Sequence, residues 1–226
     1  MYPFQDYTLG EEILLEPGEQ LRFKCNGTKQ LSKNIQNRYQ FITSGDGDLL
    51  LGGDLLEIAS DVIRPVYDYE FNGLFEGCKN IVGFNNDFRL PASTAKFSYA
   101  NLFKDCSRLS SSIVSAGYLL EARDLAPWCY SGMFNSWTSL VDPPQLPATG
   151  LAKYCYDGMF MNCSSLSTAP VLSAATLAPF CYCSMFNMCS NLTEAPYLSA
   201  ATLVEGCYKN MFMDCKSLSS IRANIS

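Results

Sequence analysis

Between residues 151 and 163 the apolar positions are Leu151, Ala152, Cys155, Tyr156, Met159, Phe160 and Cys163, with polar residues between them. Apolar side chains recurring at i and i+4 predict a short helix with one buried face. The residue ahead of the equivalent leucine is Asp124, Gly150, Thr176 or Thr202, mostly good N-caps, and Thr202 precedes Glu205 as in a capping box. Pro127 and Pro179 fall in the first turn, where a missing N–H is tolerated. After Cys163 the polar run ends the arm, Leu166 begins a brief extended piece, and Pro170 closes it. A unit this small cannot bury its own apolar face.

The unit is repeated. Cys-Tyr stands at 129, 155, 181 and 207, and Met-Phe at 133, 159, 185 and 211, every step being 26 residues. Behind them run Trp137, Cys163, Cys189 and Cys215, then Leu140, Leu166, Leu192 and Leu218, then Pro144, Pro170 and Pro196. Two looser units upstream carry Phe71, Leu74, Phe75, Cys78 and Ile81, and Tyr99, Leu102, Phe103, Cys106 and Leu109, at spacings of 28 and 31. The pattern predicts an α/β fold over 65–226, a right-handed leucine-rich-repeat-like solenoid of about six units with a 26-residue period. Equivalent positions would then lie roughly 4.8 Å apart, and the recurring Cys, Met and Phe would form columns of the core. Residues 1–64 read differently: LRFKC (21–25), YQFIT (39–43) and LLLGG (49–53) are short strand patterns, expected to form an N-terminal β cap over the first unit.

The string carried by Cys155-Tyr156, Met159-Phe160, Cys163, Leu166 and Pro170, and by their equivalents, resembles the leucine-rich repeats of BspA-like (Treponema pallidum type) surface proteins. Its Cys-Tyr form is similar to repeats in gut Bacteroides proteins. The departures are Trp137 in a cysteine column, Ser98 in place of the first Cys, and Arg222 in place of the last proline. The resemblance implies a secreted or cell-surface protein that binds or adheres to a host protein or glycan, without catalysis.

Composition narrows the chemistry. The chain has 226 residues, 11 cysteines and no histidine, so the usual neutral-pH general base and the commonest metal ligand are missing. Residues 1–70 carry 12 acids and 6 bases, whereas 71–226 carry 10 of each, which leaves the repeats no net field for nucleic acid or an anionic membrane. No run approaches the roughly 20 apolar residues of a membrane helix, so no membrane insertion is expected. The opening MYPFQDYTLGEE does not read as a signal peptide; an export signal removed beforehand fits equally well.

No cofactor and no metal site are expected. Cys181, Cys183 and Cys189 lack zinc-ligand spacing, and 181 and 189 are already explained by the repeat, whereas Cys183 belongs on the outer face. Asp46, Asp48 and Asp54 in GDGDLLLGGD invite a calcium reading, but a hairpin turn accounts for the glycines more simply. The candidate ligand-binding residues are two outward sets. Trp128, Tyr154 and Phe180 form an aromatic column just outside the buried arc, suited to a ligand or to plugging the seam between layers. Ser165, Ser167, Asn191 and Thr193 lie on a short polar strip beside the extended pieces. The rival readings are a spacer or stalk, such as a phage-tail part, and a hydrolase built on the scattered Asp87, Asp105, Glu121 and Asp124.

Overall fold

The computed structural model describes residues 34, 36, 38–43, 47–60, 62–110 and 119–224. Six arms of ten residues, 68–77, 96–105, 127–136, 153–162, 179–188 and 205–214, consist wholly of consecutive turns. The fourth arm shows the rule. Tyr154, Gly158 and Asn162 have φ of 58°, 59° and 61°, so every fourth residue lies in the left-handed region. The N–H groups of Cys155, Asp157, Met159 and Met161 donate to carbonyls three residues back. Those of Tyr154, Tyr156, Gly158, Phe160 and Asn162 instead reach Pro179, Cys181, Cys183, Met185 and Asn187 of the next arm, at 2.8–3.2 Å. The same five bonds join each arm to its successor.

The arms are therefore not the α-helices that the i, i+4 stripe predicts. A 3.6-residue helix turns a four-residue stripe by about 40° per step and keeps its N–H groups for itself. Here the period is four, the stripe does not drift, and half the donors are free to bond the neighbouring unit. Left-handed backbone costs about 1–2 kcal/mol for most L-residues, less for Gly, Asn and Asp. Gly73, Gly77, Gly132, Gly158, Gly206, Asn101, Asn162, Asn210, Asp105 and Asp214 hold ten of these positions. The expected caps Asp124 and Gly150 instead form a parallel bridge between two units. Among the described residues the one helical element is the 3-10 turn Leu55–Ile58, capped by Asp54, whose carboxylate accepts from Leu56 N–H at 2.9 Å.

On the other face lie β1 (Leu49–Leu51) and β2 (Ile81–Phe84), which pair in parallel. Further parallel bridges, Asp54 with Arg89, Thr168 with Glu194 and Leu198 with Ala223, continue that contact from unit to unit. Of the expected N-terminal strands, LRFKC lies outside the described residues, and 39–43 is not a strand. It does lie against the first arm: Phe41 N–H donates to the Leu74 carbonyl at 2.7 Å, and its ring stacks on Phe75 at 5.4 Å.

Between the two faces the core is columnar. One ring column runs Phe75, Phe103, Phe134, Phe160, Phe186 and Phe212 with centroids 5.7–6.1 Å apart. A second runs Phe71, Tyr99, Tyr130, Tyr156, Tyr182 and Tyr208 at 5.5–5.9 Å. The later cysteine column has a bonding role as well as a packing one. Cys106, Cys163, Cys189 and Cys215 thiols donate to the carbonyls of Phe75, Phe134, Phe160 and Phe186 in the preceding unit, at 2.9–3.1 Å. Where Trp137 replaces cysteine, its indole N–H donates to the Leu109 carbonyl at 2.6 Å, so the column keeps a donor. The cysteines described are free.

Burial pushes the thiols of Cys106, Cys129 and Cys189 up to about 12. An unfolded thiol ionises near its ordinary value of 9.0, whereas these stay protonated until about 12 when folded. Their contribution is thus fully present below pH 9 and falls as pH rises from 9 to 12, by about 1.4 kcal/mol per pH unit per thiol. Urea unfolding across that range checks the slope, and Cys189→Ala should flatten it. Met188 offers a separate test, being exposed with φ 64°. Met188→Gly should stabilise by about 1 kcal/mol, and β-branched Met188→Ile should destabilise by a similar amount.

A candidate binding face along the stacked arms

The first left-handed position of each arm is held by Tyr69, Phe97, Trp128, Tyr154, Phe180 and Gly206. The positive φ turns each ring out of the core, and the register between units, 28 and 31 residues for the first two steps and 26 after them, sets it against its counterpart. The rings stack nearly parallel: Tyr69 to Phe97 at 4.9 Å, Phe97 to Trp128 and Trp128 to Tyr154 at 5.0 Å, and Tyr154 to Phe180 at 4.6 Å. The column ends on Gly206, where a Cβ would stand 2.3 Å from the Phe180 ring. The Lys96 ammonium lies 5.7 and 5.8 Å from the Phe97 and Trp128 rings, and Lys153 lies 5.5 and 5.9 Å from Tyr154 and Phe180.

Trp128, Tyr154 and Phe180 are thus brought together in one half-buried column, two rings longer than the three residues singled out in the sequence. Their faces contact one another, so a ligand meets edges and ammonium groups rather than open ring faces. Two signals in the sequence mark the longer column. Tyr69 and Phe97 hold the same offset in the looser units, and lysine stands just before two of the rings.

The polar strip is placed beside the bridges between units. Ser165 and Ser167 are half-buried, and Asn191 and Thr193 are exposed. Thr193 N–H and its hydroxyl both reach the Ser167 carbonyl, at 3.3 and 3.2 Å, and the Ser219 hydroxyl reaches the Thr193 carbonyl at 3.4 Å. Those two hydroxyls are already engaged in holding the units together.

The other candidates are dispersed. Asp46 lies outside the described residues, Asp48 pairs with Arg108 at 2.6 Å, and Asp54 caps the 3-10 turn. Asp87 is exposed after the first arm, Glu121 and Asp124 are exposed together ahead of the third, and Asp105 is half-buried at the end of the second arm. Among the described residues no group of three Cys, Asp or Glu side chains could hold a metal ion. Cys183 does fall on the outer side, half-buried and 3.7 Å from the Ser184 hydroxyl, with its thiol pushed up by burial. A shallow depression of about 490 Å³ is lined by Val66, Tyr67, Asp68 and Ala95 at the Tyr69 end of the ring column.

One polar feature outside the two outward sets is a buried ion pair. Glu70 is wholly buried; its two carboxylate oxygens accept from Arg64 at 2.8 Å each, and one also accepts from Tyr67 N–H at 2.8 Å. Glu70 occupies the first cysteine column, and an acid in an apolar column requires a cation.

Each internal ring of the outer column has two stacking partners, worth about 0.5–1.5 kcal/mol apiece. Trp128→Ala should therefore destabilise by about 1–3 kcal/mol in urea unfolding. A loss below about 0.5 kcal/mol would mean that the rings stand free of one another.

Comparison with known protein families, curated proteins and solved structures finds no match for this chain.

Proposed function

We propose that the stacked units form a leucine-rich-repeat-like solenoid in which arms of turns stand where helices would. In this reading the chain is a non-enzymatic binding or adhesion module, secreted or at a cell surface, for a host protein or glycan. The observation that carries it is the outer column itself. Five rings from Tyr69 to Phe180 run without a break along one side, half-exposed and flanked by Lys96 and Lys153. A spacer needs solubility along its sides, and polar residues supply that better than aromatic ones. Because the ring faces are spent on stacking, contact would come from their electropositive edges and the two ammonium groups. Such a surface favours ligands rich in oxygen acceptors, gripped by many weak contacts. Among the described residues no helix is long and apolar enough to cross a membrane.

A stiff spacer is the second reading. It is favoured by the five-bond seam repeated between arms and by the strip hydroxyls of Thr193 and Ser219, which are already bonded.

Purified chain applied to arrays of mucin-type glycans and host matrix proteins separates the two. The binding reading expects reproducible hits that fall at least about tenfold in Lys96→Glu/Lys153→Glu with unfolding unchanged. A blank array on both classes would leave the spacer standing.

A further inference from the structure

We propose, resting on the outer column as a binding face, that it takes an extended anionic polysaccharide, one sugar to each unit, with an acid on every second sugar. The first residues of the six arms set the charge pattern: Asp68, Lys96, Pro127, Lys153, Pro179 and Glu205. Two cations thus stand two units apart, with a neutral proline between them and a carboxylate farther along on either side. Each ammonium sits almost equally far from two successive rings, Lys96 at 5.7 and 5.8 Å and Lys153 at 5.5 and 5.9 Å. Both therefore lie beside the column at matching heights between units. Two ring steps of 5.0 Å separate Phe97 from Tyr154, which puts the two ammonium groups about 10 Å apart. Neither is engaged within the protein. Among the described residues the ion-paired cations are Arg38, Arg64, Lys104 and Arg108, whereas Lys96 and Lys153 are exposed and pair with no carboxylate.

That spacing selects a ligand. The rings recur at 4.6–5.0 Å, and an extended chain of pyranose sugars advances by nearly one such step per sugar. Each electropositive ring edge then meets the oxygens of one sugar, and the two lysines meet carboxylates or sulfates two sugars apart. A peptide fits less well. In a β-strand, at roughly 3.3 Å per residue, side chains about 10 Å apart are three positions apart and face opposite sides. A polyproline II peptide brings every third side chain to one face, but its carbonyls recur at about 3.1 Å and fall out of step with the rings. The pattern also limits the run of charge. A third anion two units beyond Lys153 falls opposite Glu205, where like charges repel.

The probe is a hyaluronan hexasaccharide, which carries a carboxylate on every second sugar, titrated calorimetrically into the whole chain at low salt. It should bind at least about fivefold tighter than a neutral hexasaccharide of N-acetylglucosamine. Pro127→Lys/Lys153→Ala keeps the charge and moves the second cation one unit closer, and should weaken binding at least about fivefold. Glu205→Lys puts a third cation in register and should tighten it at least about fivefold, so a gain of binding keeps the test valid if the double variant perturbs its arms. The proposal is overturned if hyaluronan does not bind, if the neutral sugar binds equally, or if the shifted lysine leaves affinity unchanged in a chain that unfolds normally. Tighter binding of a repeated Asp-Pro-Pro peptide overturns it as well and makes an acidic peptide the ligand. Array hits on neutral glycans or matrix proteins would leave the binding reading standing while this proposal falls, whereas a blank array removes both.

Discussion

A hydrogen bond shared between units, rather than within one, is the constraint from which the rest of this structure follows. An arm keeps half of its N–H groups for its own turns and gives the other half to its neighbour. Neither half suffices alone, because buried backbone donors must all be satisfied. A single arm is therefore not a stable element, and stacking is obligatory. The cost is left-handed backbone at every fourth residue. The return is a seam of five bonds at each junction, beside columns of rings, thiols and methionines packed at full burial.

This seam explains choices that look arbitrary residue by residue. Cysteine recurs because the site wants a small apolar side chain that can also donate to a carbonyl's remaining lone pair. Trp137 supplies a donor at the same position with its indole N–H, but to the Leu109 carbonyl rather than to that of Phe103, after a unit stretched to a spacing of 31. Prolines 127 and 179 open their arms because the carbonyl at that position is used, by Phe97 and Tyr154, while its own N–H is not needed. Gly206 ends the ring column because the Phe180 ring occupies the space its side chain would fill.

The units, their register and their core columns were legible in the sequence, since burial leaves a periodic apolar trace whatever the backbone does. The backbone of the arm was not. An i, i+4 stripe is the ordinary mark of a helix, and Cys155, Tyr156, Met159, Phe160 and Cys163 satisfy it. The distinguishing signal lay on the polar side, in Gly158 and Asn162 falling four and eight residues after Tyr154. Residues tolerant of positive φ at strict four-residue spacing contradict a helix, which has no use for them. The outer rings were half legible. Their offset named Trp128, Tyr154 and Phe180, but the face-to-face stacking depends on the left-handed backbone beneath them and could not be read without it.

The most direct test of the account is the identity of the acceptor for one amide. Scalar coupling across the hydrogen bond, measured by NMR, links an amide nitrogen to the carbonyl carbon that it bonds. Tyr156 N–H should couple to the carbonyl of Cys181 in the next unit, as their 3.0 Å separation requires. Coupling to the carbonyl of Ala152, four residues back, would make the arm a helix and contradict the shared seam.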